Sequence, residues 1–150
     1  MTAKPELYEQ DFYHWTQDQA AQLRAKDWYA LDIEHLAEEI ESLGRSERFA
    51  IESHLINLLT HLLKYRYAPA TAPRRLWRLS IRHARREIAK RAQGSLQQYP
   101  AQYLPMAYLQ ARKDAADETD LPLATFPEHC PWPPEQILDT DFWPAGEPLP

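Results

Sequence analysis

Six arginines between residues 74 and 86 form the group of side chains with the clearest capacity for chemistry. At about 100° per residue, they project from about one third of a helix circumference. Glu87 is the only acid between residues 74 and 91. Guanidinium groups form paired hydrogen bonds with carboxylates and phosphates. The pattern therefore predicts an anion-binding or partner-binding surface made of Arg74, Arg75, Arg78, Arg82, Arg85 and Arg86.

The charge distribution leaves two interpretations of these arginines open. Residues 53–113 carry twelve Lys/Arg against one Asp/Glu, whereas residues 1–52 carry five against twelve and residues 114–150 none against nine. Because the net charge is −5, we expect acidic flanks to neutralise the basic middle inside the fold. The alternative is an exposed basic surface for an unidentified protein partner, or for nucleic acid phosphates contacted by residues 74–86.

Carboxylates and imidazoles offer a second candidate site. Glu38 and Glu41 precede His54 and His61, and two antiparallel helices would bring them together as metal ligands or as acid and base. The chain lacks the paired Glu-x-x-His repeats of a di-iron bundle and the His-Glu-x-x-His of a zinc protease. We therefore interpret these as boundary histidines near carboxylates and expect no metal or other cofactor, with a metal-dependent enzyme as the alternative.

Nucleophilic catalysis has less support. Cys130 lies between His129 and Pro131 in an extended segment, where adjacent side chains point apart. No serine lies at the glycine-flanked elbow of a hydrolase. The sequence therefore assigns no catalytic residue and favours a binding or regulatory module over an enzyme.

The elements that must position these residues are helices, and the most apolar and periodic stretch is 31–67. Asp32 is a suitable N-cap, followed by an apolar stripe of Ile33, Leu36, Ile40 and Leu43. Gly44 predicts a bend or short break. From residue 51 onwards, apolar side chains cover more than a third of the circumference, as in the central helix of a bundle: Ile51, Leu55, Ile56, Leu58, Leu59, Leu62 and Leu63.

The flanking segments complete an all-α helical bundle of about five helices. A first helix begins after Asp11 and ends near Lys26, and a later one carries the apolar stripe Trp77, Ile81, Ala84 and Ile88. Residues 121–150 are rich in proline and in large aromatics, which predicts an extended C-terminal strap with one short helix, PEQIL. We expect a single domain over residues 1–150, with residues 1–10 as a loosely held N-terminal segment.

The expected localisation follows from the lack of a membrane-spanning run and of a secretory signal in the sequence. No apolar run approaches the roughly 18–20 residues of a membrane span, and the N-terminus lacks the apolar region of a secretory signal. The lone cysteine fits a reducing compartment. We expect a cytoplasmic protein that does not engage a membrane.

Four motifs, in their order and spacing, carry a family resemblance. They are LAEEIESLGRSE (36–47), HLLKYRY (61–67), WRLSIRHARREI (77–88) and LPLATFPEHCPW (121–132). From about Tyr8 to Phe142 the chain resembles the bacterial family catalogued as domain of unknown function 29. This resemblance implies an all-helical bacterial cytoplasmic domain. It implies no established reaction and hence no catalytic residues.

Overall fold

The computed structural model describes residues 5–144, and helices dominate this range. No strand occurs in the same range, so the predicted all-α bundle is confirmed. Within it, no helix has both the length and the apolar character needed to cross a membrane. The helices are α1 (Pro5–Gln10), α2 (Phe12–Ala25), α3 (Ile33–Tyr67), α4 (Arg74–Arg91), α5 (Tyr99–Thr119) and α6 (Pro134–Leu138).

Aspartates precede two of these helices, as the sequence predicts. The Asp11 carboxylate accepts a hydrogen bond from the backbone N–H of His14 at the start of α2. It thereby satisfies one of the N–H groups that the first helical turn leaves without a partner. Asp32 directly precedes α3, and its carbonyl accepts from the Leu36 N–H at 2.9 Å, while its carboxylate contacts the side chains of Trp15 and His35.

Helix α3 is continuous for 35 residues, so a break at Gly44, one of the outcomes that the glycine predicted, is wrong. A glycine inside a helix costs only about 1 kcal/mol relative to alanine. Leucine, glutamate and arginine, which favour helices, surround Gly44 and offset this small cost. The residues 32–67 therefore form one helix, not two.

The described chain divides into two compact units, residues 5–46 and residues 47–144. In the first unit, residues 5–10 form α1, where the sequence predicted a loosely held segment. Tyr8 and Trp15 pack on the polar face of α3 around His35. The apolar stripe predicted to be buried is therefore exposed, with Ile33, Ile40 and Leu43 exposed to 58%, 67% and 69%.

The second unit has a core built from α3, α4 and α5. The predicted apolar arc of α3 is confirmed, since its leucines and Ile51 are buried and only Ile56 is partly exposed. Helix α4 contributes Ile81, Ala84 and Ile88 of the predicted stripe, and its fourth member, Trp77, is half-buried against the core. Helix α5 adds mainly small residues, which let it approach closely: Ala107, Ala111 and Ala115.

The C-terminal strap packs on this core from residue 121 to residue 144. It forms a short 3-10 turn and then α6, the predicted PEQIL helix. Phe126 and Ile137 are buried in the core. Because the strap lacks a continuous ladder of its own, helix side chains satisfy some of its carbonyls: Tyr108 Oη donates to Pro127 at 2.6 Å and Arg112 Nε to Phe126 at 3.1 Å. The rest of the strap, residues 145–150, lies outside the described residues.

Candidate functional site

Helix α4 displays the six predicted arginines, but burial separates them into two groups. Arg74 and Arg85 are buried, Arg78 is half-buried, and Arg75, Arg82 and Arg86 are exposed. At about 100° per residue, Arg74 and Arg85 fall within about 40° of the core residue Ile81 around the helix. The arginine arc therefore begins at the core and ends in solvent.

Arg74 has a structural environment. Its Nε donates to the Tyr65 carbonyl at 2.7 Å and its Nη1 to the Pro69 carbonyl at 2.7 Å, while Nη2 donates to the Ala68 carbonyl. These carbonyls belong to the end of α3 and the turn after it, where a helix leaves C=O groups without partners. Arg74 therefore ties α4 to the end of α3 and does not belong to an exposed partner-binding surface.

Arg85 is 3% exposed and only partly satisfied. Its Nε donates to the Ile137 carbonyl of the strap at 2.8 Å, but Nη1 and Nη2 are buried without a hydrogen-bond partner. Burial lowers the pKa of the guanidinium to about 10, and the charge of Asp139 acts in the opposite direction. The Trp143 ring lies 5.5 Å from the Arg85 Cζ, within cation–π range.

The remaining arginines do not have the internal partners that the charge pattern predicted. Ion pairs of the second unit include Lys64 with Glu118, Lys90 with Glu87, and Arg91 with Glu87 and Glu47. Among the described residues, no Asp or Glu forms an ion pair with the remaining arginines of α4, which are Arg75, Arg78, Arg82 and Arg86. The predicted internal neutralisation is therefore wrong for Arg75, Arg78, Arg82 and Arg86.

Two leucines lie among these unpaired arginines. Leu76 is 62% exposed and Leu79 is 56% exposed. At the helical period, Leu79 lies between Arg75 and His83, with Arg86 beside it. We call this the outward face of α4, defined by Arg75, Leu76, Leu79, Arg82, His83 and Arg86.

The carboxylate and histidine site does not assemble as the metal hypothesis requires. Glu38, Glu41, His54 and His61 all lie on α3, so the proposed antiparallel helix pair is not formed. No three potential ligands cluster as a metal site within residues 5–144. Burial lowers the pKa of both histidines, and His61 Nδ1 lies 2.8 Å from the Asn57 carbonyl oxygen.

An Asp-His pair in the first unit was not singled out from the sequence. Asp32 Oδ2 lies 2.7 Å from His35 Nδ1 and accepts from Trp15 Nε1 at 3.1 Å. The hydrogen bond with Asp32 raises the pKa of His35. The Tyr8 ring stacks on the imidazole at 3.8 Å, and its hydroxyl donates to Glu39. This network holds the first unit together. The Asp-x-x-His spacing at the start of a helix was the feature of the sequence from which the pair could have been predicted.

Cys130 has the properties of a structural thiol. It is half-buried, and its Sγ donates a weak hydrogen bond to the Trp132 carbonyl at 3.4 Å. Burial raises the pKa of the thiol, which disfavours the nucleophilic thiolate. The cavity beside it, of about 320 Å³, therefore gains no reactive group from Cys130.

Fold and site together define an all-α protein with a surface helix of unpaired arginines and exposed leucines. The family model described as Domain of unknown function DUF29 matches residues 7–143. The chain belongs to this family, which confirms the resemblance of its motifs. No curated protein and no solved structure matches the chain.

Proposed function

We propose that this protein is a binding module, and that the outward face of α4 binds an acidic, amphipathic segment of a partner protein. The observation that carries the proposal is the exposure of Leu76 and Leu79 among arginines without ion-pair partners. Interfaces are enriched in arginine and bury apolar side chains at their centres. This face provides both in one patch.

A partner protein accounts for the leucines better than nucleic acid does. Phosphate contacts use Lys, Arg and polar groups along a backbone, and an exposed leucine such as Leu79 adds nothing to them. Arg74 is moreover committed to carbonyls at the end of α3, and both Arg74 and Arg85 are buried and cannot lie along an external nucleic acid backbone. The phosphate-binding stripe expected over residues 74–86 thus retains four of its six arginines.

The charge of the face defines the chemistry of the partner. Its three arginines, Arg75, Arg82 and Arg86, favour a segment that offers several carboxylates, since paired Arg–carboxylate contacts combine charge with directed hydrogen bonds. Leu76 and Leu79 lie three residues apart, so they favour apolar side chains repeated at helical spacing on the partner. The proposed ligand is therefore an amphipathic helix with acidic flanks.

Site-specific photo-crosslinking in the cell that makes the protein tests this proposal. A photoreactive amino acid replaces Leu79, and a matched chain carries it at Leu109, a leucine of α5 with the same 56% exposure and no place on the arginine helix. We expect discrete protein adducts from position 79 that are absent from position 109. The crosslinked peptides should be acidic and should contain apolar residues at helical spacing.

Variants distinguish the contributions of charge and apolar contact. Arg75→Glu and Leu76→Ser alter exposed side chains and should each weaken the position 79 adducts while leaving helicity unchanged. Adducts that a nuclease removes would identify the nucleic acid alternative instead. Equal protein adducts at positions 79 and 109 would contradict the proposal.

A further inference from the structure

A small cavity lies between α4 and the C-terminal strap. Its lining consists of Arg82, Arg85 and Arg86 from α4 and Thr140 from the strap, and its volume is about 230 Å³. All four side chains belong to the second unit. Three guanidinium groups around one cavity of this size form a concentrated positive site.

Arg85 supplies an observation independent of this cluster. The side chain is 97% buried, and both terminal nitrogens lack a hydrogen-bond partner. An unpaired buried charge is strongly unfavourable, and an apolar side chain of similar volume is often tolerated in its place. A bound anion would provide the partner that the fold does not, and a guanidinium can contact it through paired hydrogen bonds.

The local charge selects the class of anion. Three arginines line the cavity, and Asp139 and Asp141 flank Thr140 in the sequence, so the positive charges outnumber these acids. A phosphate group carries about −1.5 to −2 at neutral pH, whereas a single carboxylate carries −1. The Thr140 hydroxyl adds a neutral donor.

Trp143 partly encloses the charged groups. Its ring lies 5.5 Å from the Cζ atoms of both Arg82 and Arg85. An apolar wall on one side of the guanidinium groups lowers the local dielectric constant and strengthens their attraction for an anion. It also makes the Trp143 indole a reporter of binding.

We propose that the cavity lined by Arg82, Arg85, Arg86 and Thr140 binds a phosphate group, either as free phosphate or as a small phosphate monoester. Arg85 provides the buried pair of donors, and Arg82 and Arg86 close over the anion from the solvent side. The site shares Arg82 and Arg86 with the outward face of α4, but it does not rest on the partner proposed above, because small anions probe it directly and Leu76 and Leu79 do not line it.

The test titrates the full chain with inorganic phosphate while the indole N–H signal of Trp143 is followed by NMR. Sodium chloride at matched ionic strength controls for screening, acetate tests a carboxylate, and glycerol phosphate tests the ester. We expect a saturable 1:1 response to phosphate or its ester. Arg85→Met should weaken it at least about tenfold, since hydrogen bonds to charged groups are worth more than 1.4 kcal/mol. The control variant Arg75→Gln alters a side chain outside the cavity and should leave the affinity for phosphate unchanged.

Two further variants keep the test decisive if Arg85→Met fails to fold. Arg86→Gln and Thr140→Val alter exposed side chains, and together they should also weaken phosphate binding at least about tenfold. Equal responses to phosphate and chloride would overturn the proposal. Tighter binding of acetate than of phosphate, or unchanged affinity in the cavity variants, would overturn it as well.

Discussion

Replacing Arg74 with methionine is predicted to destabilise the second unit strongly. The guanidinium donates hydrogen bonds to three carbonyls at the end of α3 and after it, and it is 5% exposed. Methionine keeps much of the apolar stem but leaves the carbonyls of the buried residues Tyr65 and Ala68 without these donors, whereas the Pro69 carbonyl still accepts from the Ala72 N–H at 3.0 Å. A hydrogen bond to a charged group is worth about 1.5–3 kcal/mol, and the three share one charge. We therefore expect a loss of about 3 kcal/mol.

Urea unfolding followed by circular dichroism measures this loss. For a chain of this length, about 3 kcal/mol corresponds to a fall in Tm of roughly 6–12 °C. Arg75→Met is the matched control, since Arg75 is the adjacent exposed arginine, and it should change the free energy of unfolding by less than about 0.5 kcal/mol. Arg74→Lys should fall between them because an ammonium lacks the guanidinium fork.

Equal stability of Arg74→Met and Arg75→Met would refute this account of Arg74. It would mean that the carbonyls at the end of α3 find other partners and that Arg74 is available to a ligand. A large loss in both variants would show that the exposed face itself stabilises the fold.

Two further predictions concern the first unit. Asp32 raises the pKa of His35, so the pair contributes its full stabilisation below the unfolded pKa of about 6.5. This contribution is lost as the pH rises through the higher folded pKa. Thermal unfolding between about pH 5 and 9 should show this loss of stability, and Asp32→Asn should remove the pH dependence that the pair causes. A Cβ at Gly44 would meet no atom within 4 Å, so Gly44→Ala should stabilise by about 0.5–1 kcal/mol in urea unfolding, and destabilisation would indicate a role for the glycine.

Periodicity predicted the core of the second unit because burial there follows the apolar pattern. The arc of α3 from Ile51 to Leu63 and the stripe of Ile81, Ala84 and Ile88 are buried as expected. The cap at Asp11 and the start of α3 directly after Asp32 followed from residue type and position. These features depend on the type and spacing of neighbouring residues, which can be read from a single sequence.

Features that depend on tertiary context were not predictable in the same way. The stripe containing Ile40 and Leu43 is exposed because α1 and α2 pack on the polar face of α3. The partners of Arg74 are backbone carbonyls. Because every residue has a carbonyl, the pattern of side chains could not predict these hydrogen bonds. For Arg85, the proximity to Ile81 around the helix was a signal of burial, but the absence of a partner required the packed strap.

The central claim is that the outward face of α4 binds an acidic, amphipathic protein segment. Its most direct test is the dissociation constant of the segment captured at position 79, measured for the natural chain and for Arg75→Glu. We predict that Arg75→Glu weakens binding at least about tenfold, and that reversing a facing acid of the segment to arginine restores the affinity. Equal affinities for the two chains, or a captured ligand that is nucleic acid, would contradict the claim.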